Sequence, residues 1–210
     1  LAFSRSGMGE RVPVHVQSVV SEVLDIVQGS LPPDVSLERA LAAGDAAVLG
    51  DPTQLQQVVM NLCSNAVQAI NGKGKLTVSI DRIQLTGPRH VNTCSLPRGD
   101  YVRVSVTDTG TGVDPQIIDR IFDPFFTTKD VGVGTGLGLS LVHGIVTDLG
   151  GGVEIENRPG AGATFVVYLP CQSDVVAPAK VDEPIAVGDG ETILLVDDET
   201  ALVQLGEEMM

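Results

Sequence analysis

Apolar and polar positions change period several times along the chain, and each change marks an element. Val19, Val20, Val23, Leu24 and Val27 recur at helical spacing, and Leu31-Pro32-Pro33-Asp34 breaks that helix. Residues 12–16 read as a short strand before it. Residues 35–41 and 46–49 predict two strands around a turn at Gly44-Asp45. Asp51-Pro52-Thr53-Gln54 then reads as a helix start. Asp51 supplies a cap for free N–H groups, Pro52 fits the first helical position and Gln54 can complete a capping box. This helix is predicted to reach about Ile70 and stop at Asn71-Gly72. Leu76, Val78 and Ile80 alternate with polar residues, as do Val102, Val104 and Val106, so two half-buried strands flank a polar loop. Asp114-Pro115 opens a short helix to about Phe122, a glycine-rich stretch leads to Gly138, and a helix follows from about Leu137 to Leu149. Residues 152–156 and 163–169 form a hairpin about Arg158-Pro159-Gly160.

Strands and helices are thus mixed without strict βαβ alternation. The expectation is an α/β fold of the two-layer α+β kind, a mixed, mainly antiparallel sheet with helices on one face. Hydrophobic residues make up 43% of the chain but aromatic residues only 3%, so the core must be built from Val, Leu, Ile and Ala. After Pro170 the character changes: residues 171–190 read as a linker, and Thr192 to Val196 as a strand buried on both faces of a parallel sheet. The chain therefore divides into 1–10, the end of a preceding helix; 11–170, the main domain; 171–190, the linker; and 191–210, the start of a truncated doubly wound α/β domain.

The formal charge of −14 argues against a nucleic-acid partner, which needs a Lys/Arg surface. A phosphate-bearing small molecule remains possible where local donors exist. Cys63, Cys94 and Cys171 are far apart and show no metal-ligand spacing, which fits a reducing, cytoplasmic setting. No segment holds the roughly 18 apolar residues of a membrane span.

Three segments carry candidate chemistry. On the helix from Pro52, residues Gln54, Gln57, Asn61, Asn65 and Gln68 share one stripe with no charge among them. Neutral amides offer oxygen to a hard cation and N–H to phosphate, although a polar face rich in amides gives the same pattern. Asp108-Thr109-Gly110-Thr111-Gly112 sets a carboxylate at a strand end before alternating glycines. That carboxylate either accepts from the exocyclic amine of adenine or bonds its own turn. Phe122-Asp123-Pro124-Phe125-Phe126-Thr127-Thr128-Lys129 precedes glycines that feed a helix N-terminus, an anion site or a flexible loop.

Taken together, in order and spacing, these segments resemble the catalytic domain of histidine kinases. Asn61-Leu62-Cys63-Ser64-Asn65-Ala66 is similar to their asparagine box and Asp108 to Gly112 to their first glycine box. Phe122 to Phe126 resembles the phenylalanine box, Gly134-Thr135-Gly136-Leu137-Gly138-Leu139 the second glycine box, and Gly162-Ala163-Thr164-Phe165 the closing strand. The resemblance implies the Bergerat-type fold shared with gyrase, heat-shock chaperone and mismatch-repair ATPases, with ATP and Mg²⁺ as ligands. It implies Asn65 as the magnesium ligand, Asp108 as the adenine acceptor, and residues 127–138 as a lid over the triphosphate. Asn61 and Lys129 become the catalytic residues. The nucleotide contacts become Asn61, Asn65, Ala69, Asp108, Gly110, Gly112, Val113, Thr128, Lys129, Gly134, Thr135, Gly136, Leu137, Gly138 and Thr164. Asn61 stands where hydrolysing relatives carry a glutamate, which points to phosphotransfer rather than hydrolysis. Gln68 departs from the Lys or Arg common three residues after the metal-binding asparagine, and Lys129 is the cation that resembles nitrogen-regulation-type sensor kinases.

Ile193 to Glu199 resembles the opening strand of a receiver domain, whose Asp197 and Asp198 would form an incomplete Mg²⁺ site. The expected parent is a hybrid histidine kinase. Residues 1–5 resemble the end of a dimerisation helix, so the acceptor histidine is expected upstream. His15, His90 and His143 are expected to be structural. The fragment is expected to be a monomer that does not phosphorylate itself, and the parent a homodimer.

Overall fold

The computed structural model describes residues 11–128 and 135–172. Strand β1 (Val12–His15) runs directly into helix α1 (Val16–Ser30), followed by β2 (Val35–Ala42), β3 (Ala47–Gly50) and helix α2 (Pro52–Ala69). The long strand β4 (Gly74–Leu85) comes next, then the two-residue strands β5 (Arg89–His90) and β6 (Ser95–Leu96), and β7 (Gly99–Asp108). Helix α3 (Gly138–Asp148) and the hairpin of β8 (Gly152–Arg158) and β9 (Gly162–Pro170) complete the fold.

Five strands form the main sheet in the order β2-β4-β7-β9-β8, and its pairings are antiparallel except that of β2 with β4. Alternation along each strand assigns its faces. Leu76, Val78 and Ile80 of β4, Val102, Val104 and Val106 of β7, and Phe165 and Val167 of β9 turn toward the helices. Val20 and Leu24 of α1, Leu55 and Leu62 of α2, and Val142 and Val146 of α3 complete that core. This is the two-layer arrangement expected from the aliphatic composition, with all three helices on one sheet face.

Helix α2 begins as its sequence specifies. Asp51 Oδ1 accepts from the Thr53 N–H at 2.8 Å, and Pro52 occupies the first turn, where no N–H is required.

Two local expectations are corrected. The strands at 35–41 and 46–49 do not pair with each other. Gln17 Oε1 accepts from the N–H groups of Ala43 and Gly44 and turns the chain away, and β3 pairs instead with β1. Both Ala47 and Val48 are buried in that pairing. Residues 114–122 are not an α-helix. Their hydrogen bonds close three residues back, Ile117 to Asp114 and Arg120 to Ile117, and only Ile118–Arg120 is regular 3₁₀ helix.

The polar loop between β4 and β7 is itself folded across the helix-free face of the sheet. Leu96 packs with Tyr101, Val166 and Tyr168, and Arg89 lies over the Tyr168 ring while bonding Glu154 at 2.8 Å. Thr93 Oγ1 and Asn92 Oδ1 accept from Val153 and Ile155, covering N–H groups of edge strand β8. Backbone bonding also continues past Pro170, because Cys171 N–H donates to Asp100 and Gln172 N–H to Ala47.

Two substitutions separate core packing from capping. Leu62→Ala, at a site 1% exposed, is expected to cost about 2–5 kcal/mol of unfolding free energy. Asp51→Ala is expected to cost about 1 kcal/mol. Urea titration of both variants checks the ordering.

Candidate functional site

Helix α2 turns its amide stripe toward the start of α3. Asn61 Nδ2 donates to its own helix at Gln57 O, 2.9 Å away, which commits that end of the amide and leaves Oδ1 facing outward. A methyl group placed on Gly138 would lie 3.2 Å from Asn61 Oδ1 and 3.6 Å from Asn65 Nδ2. Glycine therefore lets the first turn of α3 settle against both asparagines. That turn has no side-chain cap and no acidic residue, so its free N–H groups and positive dipole end remain available to an anion.

At the other side of the recess, Asp108 ends β7 and is 3% exposed, the one buried charged residue among those described. Burial raises its carboxyl above the ordinary carboxylate range, and backbone N–H donors of Gly110 and Ala163 oppose that rise. The Gly110 bond, 2.7 Å to Oδ1, is the local turn bond allowed by the sequence. The carboxylate closes its turn and also lines the cavity.

Glycines hold this turn against α2 and β9. A methyl group on Gly110 would sit 2.3 Å from Ala69 O, and one on Gly162 2.0 Å from Asp108 O. Thr111 N–H donates to Ala69 O at 3.3 Å. Beyond Gly112, whose φ is +70°, Val113 is held on both backbone groups by Asn157.

The third wall follows the short 3₁₀ turn. Phe126 packs into the core's margin beneath Arg120, whose guanidinium carbon lies 4.7 Å from the ring centroid. Phe125 adopts φ +66° and donates its N–H to Gly136 O at 2.9 Å. Gly136 also has φ +66°, and a methyl group there would meet the Phe125 backbone at 2.4 Å. The two margins of the segment 129–134 are thus tied to each other.

These walls enclose a cavity of about 820 Å³, large enough for a nucleotide-sized ligand. Among the residues expected at the site, Asn61, Asn65, Ala69, Asp108, Gly112, Val113, Thr128, Thr135, Gly136, Leu137 and Gly138 line it. Gly110 stands behind the lining, pressed on Ala69. Thr164 is a correction. It faces the opposite side of the sheet, where its hydroxyl bonds Thr107 Oγ1 at 2.9 Å. Strand alternation gives the cavity to its neighbours Ala163 and Phe165. Lys129, Gly134, Asp197 and Asp198 lie outside the described residues, as do residues 1–10 and 173–210.

The sequence reading missed the apolar lining of Ile117, Ile121 and Phe165, and it missed Asn157. Asn157-Arg158-Pro159-Gly160 carries an ordinary turn signal that hides the asparagine's role. Of the histidines, His143 packs on the Phe122 ring with centroids 5.5 Å apart, and His15 Nδ1 bonds Asp45 O.

Comparison with known proteins shows the family and the fold. The family model described as "Histidine kinase-, DNA gyrase B-, and HSP90-like ATPase" matches residues 50–173. The chain is 34% identical to the sensor kinase CckA of Brucella abortus over 96% of its own length and 22% of that protein. It is 39% identical to the sensor histidine kinase ZraS of Escherichia coli K12 over 59% of its length and 23% of that protein. It therefore spans under a quarter of each of these relatives. A nucleotide-free structure of the catalytic domain of the histidine kinase ThkA superposes with a TM-score of 0.63 at 29% identity, covering 77% of this chain and 96% of that one.

Two glycines test the close approaches by contrast. Gly110→Ala is expected to destabilise the domain by about 1–3 kcal/mol, because the added carbon meets the Ala69 carbonyl. Gly144→Ala, in the middle of α3 with nothing within 4 Å, is expected to stabilise it by about 0.5–1 kcal/mol. Thermal unfolding of the pair reads both signs.

Proposed function

The chain belongs to the histidine kinase-, DNA gyrase B- and HSP90-like ATPase family, and from that membership we propose that it is the ATP-binding catalytic part of a hybrid sensor histidine kinase. In this reading it holds Mg·ATP and presents the γ-phosphate to a histidine on a dimerisation domain of the longer protein. The relatives' names support the sensor-kinase reading.

The observation that carries the proposal is one cavity holding a buried carboxylate, two neutral asparagines and an uncapped helix N-terminus. Asp108 accepts a proton-bearing edge, which suits the 6-amino group of adenine and not the carbonyl of guanine. Ile117, Ile121 and Phe165 offer apolar surface to the purine. The α3 N-terminus and Asn61 receive the phosphates, with Thr128, Lys129 and Gly134 contributing from the lid. An amide oxygen is a hard neutral donor, so Asn65 fits Mg²⁺ that is otherwise held by the nucleotide's own phosphates and water.

Asn61 directs the outcome of the chemistry. Its amide accepts no proton from water at neutral pH, so nothing at that position activates water as a carboxylate would. Catalysis then rests on positioning and charge neutralisation, with the acceptor imidazole supplying the nucleophile.

The same reading extends to the rest of the chain. Residues 171–190 link this domain to the beginning of a receiver at 191–210, where Asp197 and Asp198 would contribute to a Mg²⁺ site. The partners are the dimerisation and receiver domains of the full-length protein, with the fragment monomeric and its parent a homodimer. Among the described residues, no helix is long and apolar enough to cross a membrane. The proposed setting is the cytoplasm.

Calorimetric titration with Mg·ATP tests the reading. The chain is expected to bind it, to hydrolyse it negligibly, and to phosphorylate a supplied dimerisation domain; binding without transfer would leave a nucleotide sensor instead. Asp108→Asn is expected to weaken binding about ten- to a hundredfold while the domain stays folded.

The pH dependence has a definite sign. The folded pKa of Asp108 is raised, so its ionised form costs the empty domain stability, fully so above the folded pKa and not at all below the unfolded one. Adenine binding favours the ionised form. Affinity is therefore expected to fall on acidification, starting above the ordinary carboxylate range. Dividing the parent profile by that of Asp108→Asn removes the phosphate titration and isolates this step.

A further inference from the structure

The loop from Gly110 to Val113 must stay in one position for Asp108 and Gly112 to share a cavity wall, yet it belongs to no regular element itself. Its far side rests on the end of β8 and on the turn that follows it. Val113 N–H donates to Asn157 Oδ1 at 2.8 Å, and Asn157 Nδ2 donates to Val113 O at 2.6 Å. A single side chain thereby satisfies both backbone groups of a cavity-lining residue, much as a neighbouring strand would. Gly112 is pressed against the same amide, since a methyl group there would come within 3.0 Å of Asn157 Oδ1. Gly160 N–H adds a bond to Thr111 O at 2.7 Å.

The register places Asn157 opposite Ala163 in the β8–β9 ladder. Ala163 is a cavity-lining residue and a backbone donor to the Asp108 carboxyl. Through its side chain Asn157 therefore fixes the loop after Asp108, and through its ladder partner it sits next to the strand that holds Asp108 itself. We propose that Asn157 is the positioning residue of the purine end of this cavity, setting the separation between the Gly112–Val113 backbone and the Asp108 carboxylate by its paired hydrogen bonds to Val113. This inference rests on the nucleotide-binding reading and deepens it.

The amide is needed for its two ends, not for its size. Aspartate keeps the shape and the acceptor for Val113 N–H, but it sets a second oxygen against Val113 O. Alanine removes both bonds. If the asparagine merely filled space, aspartate would restore function; if it acts by hydrogen bonding, aspartate fails as alanine does.

Mg·ATP and Mg·ADP titrations on the full chain test this with the parent, Asn157→Ala and Asn157→Asp. Both variants are expected to shift the binding midpoint about tenfold to weaker values, by the same factor for ATP and ADP, because the loop touches the purine end and not the phosphates. Reversible loss of folded protein would itself move both midpoints by the reciprocal of the folded fraction, so urea titration of each variant fixes that fraction and the shift is read after dividing it out. A parent-like midpoint in Asn157→Asp overturns the inference, as does a loss confined to ATP. If Asn157→Ala does not fold, the isosteric Asn157→Asp carries the test by the same criteria. Failure of the parent chain to bind either nucleotide overturns the nucleotide reading and this inference with it, whereas parent binding with unmoved variants overturns the inference alone.

Discussion

The site depends on backbone surfaces approaching more closely than any side chain allows. Gly110 lies on the Ala69 carbonyl at the end of α2, and Gly162 lies on the Asp108 carbonyl at the end of β7. These two approaches draw the last turn of a helix, the end of a central strand and the hairpin strand β9 to one point. Asp108 is buried there because three backbone segments meet around it, and its carboxyl finds N–H donors in two of them. The cavity is what remains on the helix side of that junction. A larger residue at either glycine would move the walls before it disturbed any ligand-facing group.

The charge problem posed by the composition is solved locally. A chain of net charge −14 is a poor surface for a polyanion. The recess nonetheless presents neutral amides and free backbone N–H groups where phosphates are proposed to lie, and it keeps its buried carboxylate beside Gly110 and Ala163. Asn61 and Asn65 add donors and acceptors without adding charge, and the start of α3 adds a partial positive charge that no acidic side chain cancels. Neutral groups with fixed dipoles can receive an anion and still leave the apolar lining of Ile117, Ile121 and Phe165 undisturbed.

The segment 129–134 is framed by a small, strained clasp. Phe125 and Gly136 both adopt left-handed backbone conformations and share a hydrogen bond. Phe125 is an unusual residue for that conformation and is 74% exposed. The clasp holds Phe125 and Gly136 together on either side of that segment. It also delivers Leu137 and Gly138 onto the asparagines of α2, so the first turn of α3 is positioned from outside the helix as well as by its own hydrogen bonds.

Much of this was readable from residue order. The amphipathic α2 with its amide stripe, its Asp51-Pro52 start, the alternating strands and the glycines around Asp108 are local signals, each set by helix or strand period or by backbone freedom. They marked part of the cavity lining, and the order of the motif segments implied the family. Pairing was not local. Nothing in residues 35–50 says that β2 joins β4 while β3 turns to β1, because that choice depends on distant partners, Gln17 at the turn and β1 along the strand. Thr164 and Ala163 are adjacent in sequence, and only the register of β9 decides which of them faces the cavity. Asn157 reads as a turn former until the fold brings Val113 to it across 44 residues. Sequence determines what each segment can do, since conformation and hydrogen-bonding capacity belong to residues; the tertiary structure decides which distant backbone each group meets, since that is set by the packing of the whole core.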